Sequence, residues 1–264
     1  MTRATTVDTG RLRILVVEHE DGAGPGLVGE RLRAAGLDTR VHRPWRGEEL
    51  PGSLDGWSGL IVLGGSVNCE DDTAAPWLPR VRALIREAVE ARIPVLGICL
   101  GGQLLAHALG GRVAVRALGP ELGTVPLRRL PAADDDPLFG TLPEGAPAAQ
   151  WHWDEIDRLP PAAVPLLTGD DCRHQAFRAG ACAWGVQFHP EALTGTIAGW
   201  AAADAPRMRA DGLDPDGAVA SVREAEPRLR AVWGAVADAW AGVVRAAVRD
   251  ARAGVAVAGG IAGE

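Results

Sequence analysis

The chain has 264 residues, of which 47% are hydrophobic and 23% are charged, and its formal net charge is −7. This length and apolar content predict a globular protein with a sizeable core. An acidic chain without a basic patch argues against a nucleic-acid partner. The cysteines are scattered without a CxxC pair, so we expect neither a metal site nor a disulfide framework, and no cofactor is indicated.

The location of the protein is predicted from the same features. Unpaired thiols favour a reduced, cytoplasmic setting. Residues 1–10 are polar, and the apolar run at 12–17 is too short for the core of a signal peptide. No stretch approaches the roughly 18–20 apolar residues that span a bilayer, so we expect no membrane association.

Strand-like and helical patterns alternate with short links up to Gly111. Predicted strands lie at 12–18, 59–65 and 94–98, and predicted helices at 28–36, 76–93 and 101–110. This order is typical of a parallel sheet with helices on both faces. Further short strands are predicted around 112–116, 123–129, 147–152, 164–168, 173–177 and 181–188. They indicate an antiparallel or mixed extension of the same sheet.

The chain becomes helical again from about Leu193, and residues 218–251 form a long amphipathic tract. We predict an α/β domain over 11–203 and a helical C-terminal extension over 204–264, whose small-residue tail from 252 is expected to fray. Trp233 and Trp240 occupy apolar positions of the tract. Such a stripe is more often core, and the alternative is a docking face for a partner or for a second copy in a homo-oligomer.

One cysteine stands in an unusually cramped turn. The segment Gly97-Ile98-Cys99-Leu100-Gly101 has the G-x-nucleophile-x-G form of a nucleophile elbow. A nucleophile between a strand and a helix sits in a strained backbone position, so the residues two places away must be small. The helix N-terminus favours the thiolate, and the N–H of Leu100 points to where an oxyanion forms. The alternative is a buried cysteine in a Gly-rich turn.

A base for this thiol is predicted at His189-Pro190-Glu191, which follows an apolar strand. Residues i and i+2 of an extended segment face the same side, so Glu191 can orient the imidazole of His189. Alone, the tripeptide is equally well an ordinary loop. Together with the cysteine elbow, in this chain order, it favours nucleophilic catalysis.

The segments GICLGGQLLAHALGG at 97–111, GVQFHPE at 185–191 and VLGG at 62–65 resemble the class I glutamine amidotransferases with a Cys-His-Glu triad. The likeness extends from about residue 12 to 200. It implies an α/β flavodoxin-like fold with a central mixed, mostly parallel sheet. It also implies that Cys99 attacks the side-chain amide of glutamine, that His189 delivers the proton that releases ammonia, and that water hydrolyses the thioester.

The resemblance extends to further site residues by motif position. Gly65 and Leu100 would supply the oxyanion amides, and Gln103 would help to hold glutamine. Ser66 stands where the family commonly has proline, which implies a less rigid loop. His152, in QWHWDEID, would lie beside the amino-acid end of the substrate, and Glu121, in PELG, would bind its α-amino group. An aromatic-anchored surface strand and an exposed glutamate are the alternatives.

Three functions stay open at this point. About sixty residues follow the predicted catalytic domain, so we expect no synthetase fused to it in this sequence, which contains no Walker-type loop. The pattern most resembles stand-alone, GMP-synthase-like amidotransferases, which predicts a glutaminase that works with a separate synthetase. The second possibility is a γ-glutamyl hydrolase acting on a larger amide. The third is a non-catalytic binding protein, and the complete set of Cys99, His189 and Glu191 argues against it.

Overall fold

The computed structural model describes residues 11–260, and side-chain environments for residues 11–253. The strands are β1 (Arg13–Val17), β2 (Asp38–His42), β3 (Gly59–Val62), β4 (Val95–Ile98), β5 (Arg112–Val115), β6 (Glu121–Arg129), β7 (Ala146–His152), β8 (Asp154–Arg158), β9 (Val164–Thr168), β10 (Ala176–Ala179) and β11 (Ala183–Val186). The helices are α1 (Gly26–Ala34), α2 (Leu78–Glu90), α3 (Leu100–Ala108), α4 (Thr194–Ala210) and α5 (Pro215–Gly260).

Nine strands form one sheet in the order β2-β1-β3-β4-β11-β10-β9-β6-β7, and β5 pairs with β8 in a separate two-stranded ribbon. The pairs from β2 through β4 to β11 are parallel, whereas those from β11 to β7 are antiparallel. The predicted central mixed, mostly parallel sheet is confirmed, and its parallel strands form the half from the β2 edge to β11. Val186 of β11 lies opposite Ile98 of β4, so the segments after these two strands emerge side by side.

The core lies on both faces of the sheet because successive strand residues point to opposite sides. In β1, Ile14 and Val16 belong to the core that α1, α4 and α5 cover, whereas Leu15 and Val17 belong to the core that α2 and α3 cover. Their exposed fractions are all 0%. A strand buried on both faces therefore needs the continuous apolar run that the sequence shows.

The long C-terminal helix α5 packs onto the sheet with α1. Trp233 and Trp240 are 1% and 0% exposed, and the indole N–H of Trp233 donates to the carbonyl of Pro147 at 2.9 Å. The tryptophan stripe is therefore core, and these side chains are not available to a partner. Pro215–Ala253 is long and apolar enough to cross a membrane, by length and composition only. Its largest apolar side chains, however, are buried in the core of this fold.

Some boundaries differ from the predicted ones. Strands β2 and β8 were not predicted, because neither contains an apolar run: β2 is a partly exposed edge strand, and β8 is DEIDR in the separate ribbon. Helix α5 continues through residue 260, so part of the tail expected to fray is helical. Residues 261–264 and the polar residues 1–10 lie outside the described residues. The predicted 203/204 boundary falls inside α4.

Candidate active site

Cys99 lies in a strained turn between β4 and α3, as the motif predicts. Its φ is 49° and its ψ is −107°, a left-handed conformation that L-residues rarely adopt. The backbone N–H of Cys99 donates to the carbonyl of Val186 at 2.8 Å. A methyl group on Gly101 would collide with the carbonyl oxygen of Val62, and one on Gly102 would lie 2.6 Å from that of Val186. The glycines are therefore required by backbone that packs against the turn.

His189 and Glu191 lie beside this turn because they follow β11, the neighbour of β4. The Nδ1–H of His189 donates to Oε1 of Glu191 at 2.8 Å, and both residues are 3% exposed. The backbone N–H of His189 donates to the carbonyl of Ala149 on β7 at 2.8 Å. The imidazole is thus fixed at its backbone and at one ring nitrogen.

The other ring nitrogen of His189 is buried, and within the described part of the chain it has no hydrogen-bond partner. Burial by itself would lower the pKa of His189, but the charge of Glu191 and that of the Cys99 thiolate outweigh it and raise the pKa well above its usual value. An imidazolium facing a thiolate is the charge state that makes sulfur nucleophilic at neutral pH. Trp200 covers the ring edge-on, with 4.7 Å between ring centroids.

A glycine loop after β3 packs against the imidazole of His189 and against the start of α3. A methyl group on Gly64 would lie 2.9 Å from Cε1 of His189 and 3.7 Å from Cβ of Cys99. One on Gly65 would lie 3.0 Å from the side chain of Leu100. The two predicted oxyanion residues, Gly65 and Leu100, are therefore neighbours beside the sulfur, and their N–H groups are candidates for holding a developing oxyanion.

The thiol opens onto a cleft of about 500 Å³. Its lining includes five of the predicted site residues, namely Gly65, Cys99, Gln103, His152 and His189. Helix α4 supplies another wall that the sequence analysis did not assign to the site. Its cleft residues are Trp200, Ala203, Asp204 and Arg207. The spacing of Trp200, Asp204 and Arg207 puts them on one helix face, which is the signal that would have indicated them.

Two glutamines connect the elbow to the far wall of the cleft. Gln103 donates to the carbonyl of Asp154 at 3.1 Å and lies 3.4 Å from Oε1 of Gln187. Gln187 in turn directs its amide N–H to the sulfur of Cys99 at 3.7 Å. Gln187 was not among the predicted site residues, although it lies two residues before His189. The signal that could have indicated Gln187 is a polar amide at the end of an apolar strand, because a buried amide is costly unless it has a hydrogen-bond partner.

Glu121 does not lie where the resemblance placed it. It is buried, and its Oε2 accepts hydrogen bonds from His152 at 2.9 Å and from Gln175 at 2.7 Å. Of these two residues, His152 lines the cleft, whereas Glu121 lies behind it and is not part of the cleft lining. Burial would raise the pKa of Glu121, but the hydrogen bond and charge of His152 outweigh this and lower it. Glu121 therefore orients His152, and we do not retain it as a direct contact to substrate.

Glu121 and His152, together with Cys172, bring metal-capable atoms within 4.8 Å of one another. The carboxylate and the imidazole already bind each other, and burial raises the pKa of the Cys172 thiol. The same effect raises the pKa of Cys69 to about 12. These thiols are free, buried and protonated, so neither is a reactive thiolate.

Known proteins are similar to this chain over most of its length. The glutamine amidotransferase class-I family model matches residues 27–199, which contain the elbow, the glycine loop and the His189–Glu191 pair. Over 186 residues the chain is 36% identical to a glutamine-hydrolyzing GMP synthase subunit from Haloarcula marismortui, covering 68% of this chain and 85% of that protein. Over 172 residues it is 38% identical to the GMP synthase of Thermomicrobium roseum, covering 62% of this chain but 29% of that protein.

Solved structures show the same fold. A glutamine amidotransferase from Thermotoga maritima matches with a TM-score of 0.78 at 26% identity, covering 88% of this chain and 98% of that one. The fold predicted from the resemblance is thereby confirmed. The chain belongs to the class-I glutamine amidotransferase family.

Proposed function

We propose that this protein hydrolyses the side-chain amide of glutamine through a glutamyl thioester on Cys99 and releases ammonia for a separate acceptor enzyme. The observation that carries the proposal is the hydrogen bond of 2.8 Å between His189 and Glu191, in a buried pair beside a thiol held in a strained turn. Similarity to a protein named as one subunit of GMP synthase supports the separate acceptor.

The first half of the reaction uses the imidazolium–thiolate pair. The sulfur of Cys99 attacks the amide carbon, a C–S bond forms, and the carbonyl electron pair moves to oxygen. The N–H groups of Leu100 and Gly65 are placed to stabilise that oxyanion. His189 donates its proton to the amide nitrogen, the C–N bond breaks and ammonia leaves. The neutral imidazole and the thioester remain.

The second half restores the enzyme. Neutral His189 takes a proton from water, whose oxygen attacks the thioester carbon through a second oxyanion. The C–S bond breaks, glutamate leaves and the thiolate returns beside the imidazolium. Glu191 keeps the same hydrogen bond throughout and stabilises the protonated ring in both halves. Gln103 and His152 line the cleft on the side where the amino-acid part of the substrate would lie.

A γ-glutamyl hydrolase acting on a larger amide is the second candidate, because the cleft is wide. Its volume of about 500 Å³ falls within the range typical of sites for drug-sized ligands, which are larger than glutamine. Trp151, Trp153 and Trp200 add apolar surface to the lining. The chemistry at Cys99 would be unchanged, and only the leaving group would differ.

The experiment is release of ammonia and glutamate by the purified chain from glutamine and from a panel of γ-glutamyl amides. Cys99→Ala removes the nucleophile. Cys182→Ala is the matched thiol control, because Cys182 is a free cysteine that precedes β11, whereas His189 follows the other end of that strand. We expect turnover of glutamine that Cys99→Ala abolishes and Cys182→Ala preserves. Turnover of bulky amides only would favour the hydrolase, and full activity of Cys99→Ala would contradict both candidates.

A further inference from the structure

The glycine loop at 64–66 has little intrinsic rigidity. Gly64 and Gly65 lack a Cβ, so neither restricts the backbone as other residues do. Ser66 occupies the position at which a proline would have fixed φ. Yet the loop contacts both sides of the site, with Gly64 against His189 and Gly65 against Leu100. An oxyanion donor is useful only if it is already in place when charge develops.

One carboxylate holds this loop from outside. The backbone N–H of Ser66 donates to Oε2 of Glu20 at 3.0 Å, and the hydroxyl of Ser66 donates to the same oxygen. Hydrogen bonds to an ionised acceptor are roughly twice as strong as neutral ones. The first of them fixes the peptide group between Gly65 and Ser66, next to the peptide whose N–H is the candidate oxyanion donor.

Glu20 is itself attached to a rigid part of the fold. It follows β1, whose last residue, Val17, accepts a backbone hydrogen bond from Leu63 at 3.0 Å. The preceding residue, His19, is 3% exposed, and its Nδ1 accepts the indole N–H of Trp77 at 3.0 Å. A methyl group on Gly65 would lie 2.8 Å from Cβ of His19, so the two segments are packed together.

We propose that Glu20 is a positioning residue, which holds the loop at 64–66 through Ser66 so that the oxyanion site beside Cys99 is preformed. This inference rests on the proposed function, because it takes the Gly65 N–H as an oxyanion donor. The carboxylate replaces, from a neighbouring strand end, the rigidity that a proline would supply within the loop.

A different role for Glu20 would be electrostatic, because its negative charge also lies in the cleft wall. Two substitutions separate the alternatives. Glu20→Gln removes the charge but keeps an amide oxygen that accepts both hydrogen bonds. Glu20→Ala removes both the charge and the acceptor. Glu30→Ala, at an exposed position of α1, is the matched control for losing a surface glutamate.

The test measures kcat and KM with glutamine and with γ-glutamyl-4-nitroanilide, an activated amide that needs no partner enzyme. Misplacement of a catalytic group by 1 Å can cost on the order of a hundredfold, so we expect Glu20→Ala to lose roughly 10- to 100-fold in kcat with little change in KM. Glu20→Gln and Glu30→Ala should stay within about threefold of the original protein. Ser66→Ala, which keeps the backbone donor, should fall between these values.

The rate of Cys99 alkylation by iodoacetamide is the measurement that would change if Glu20 only supported the structure around Cys99. This displacement forms no oxyanion, so its rate should be about the same in Glu20→Ala as in the original protein. An unchanged kcat in Glu20→Ala, an equal loss in Glu20→Gln, or a parallel loss of alkylation would each overturn the inference. Failure of the proposed function has a separate sign, namely an original protein that releases no more product from either amide than Cys99→Ala.

Discussion

Gly101 of α3 packs directly against the carbonyl oxygen of Val62 at the end of β3, leaving no space for a side chain between them. This contact fixes how closely the helix approaches the sheet edge. The N-terminus of α3, with Cys99 in front of it, is therefore held in the cleft by backbone packing. The glycine that the motif requires is thus explained by a neighbouring strand as well as by the turn itself.

Substitution of Gly101 by alanine should consequently damage both stability and activity. The added methyl group must displace β3 or α3, and forced overpacking typically costs about 1–3 kcal/mol, so we expect a loss of roughly 2 kcal/mol or more in the free energy of unfolding. Gly199→Ala is the control, because it lies in α4 with open space around it and should be stabilised by up to about 1 kcal/mol. Urea unfolding of both variants measures this, and equal stability would contradict the packing argument.

Substitution of Glu191 by glutamine should lower the pKa of His189 and slow catalysis. The amide can still bind Nδ1, but it removes a charge that raises the pKa of the ring. General acid–base catalysis contributes on the order of 10²–10⁴-fold, so we expect kcat to fall by about a hundredfold or more. NMR titration of His189 measures the pKa, and Cys99→Ala should lower it too. A pKa unchanged in both variants would contradict this account of the pair.

His19 should make stability depend on pH. Burial lowers its pKa from 6.5 to about 3, so the folded protein keeps the ring neutral while the unfolded chain protonates it. Stability from this group is therefore complete above pH 6.5 and is lost as the pH falls toward 3.

Each pKa unit corresponds to about 1.4 kcal/mol, so lowering the pH from about 7 to roughly 4.5 should cost about 2.5 kcal/mol through His19. His19→Gln keeps an oxygen that accepts the Trp77 N–H but does not titrate. Unfolding of both proteins at about pH 7 and pH 4.5 should give a smaller pH effect in the variant. The same pH effect in both proteins would show that His19 is protonated without cost.

Trp200 should contribute to catalysis through the orientation of His189. Its ring packs edge-on against the imidazole at 4.7 Å, and such pairs contribute about 0.5–1.5 kcal/mol beyond burial. We expect Trp200→Ala to lower kcat roughly tenfold, which corresponds to about 1.4 kcal/mol, and Trp200→Phe to retain most of the activity. Steady-state kinetics with glutamine measures this. If Trp200→Ala were as active as the original protein, Trp200 would not orient His189 and would only line the part of the cleft that receives the leaving group.

The central site could be predicted from sequence because its constraints are local. The glycines around Cys99 and the His-x-Glu spacing each follow from the geometry of a few consecutive residues, and the apolar strands from burial on both faces. Strands β2 and β8 were missed because a partly exposed edge needs no such pattern.

The remaining walls depend on contacts between distant segments. Asp204 of α4 lines the cleft and accepts a hydrogen bond from the indole N–H of Trp151 at 2.9 Å. No local sequence pattern indicates this contact, because the two residues are far apart in the chain. Glu121 was placed on the substrate side, and pairing with His152 across β6 and β7 places it behind that ring instead. Side-chain orientation within a sheet depends on register, and register is a property of the assembled fold.

The most direct test of the proposed chemistry is intact-mass measurement of the protein quenched during turnover of γ-glutamyl-4-nitroanilide, followed by peptide mapping. We expect a mass increase of one glutamyl group on the peptide that contains Cys99, labile to hydroxylamine and absent from Cys99→Ala. Product release with no such adduct in rapidly quenched samples, or an adduct on another residue, would contradict it.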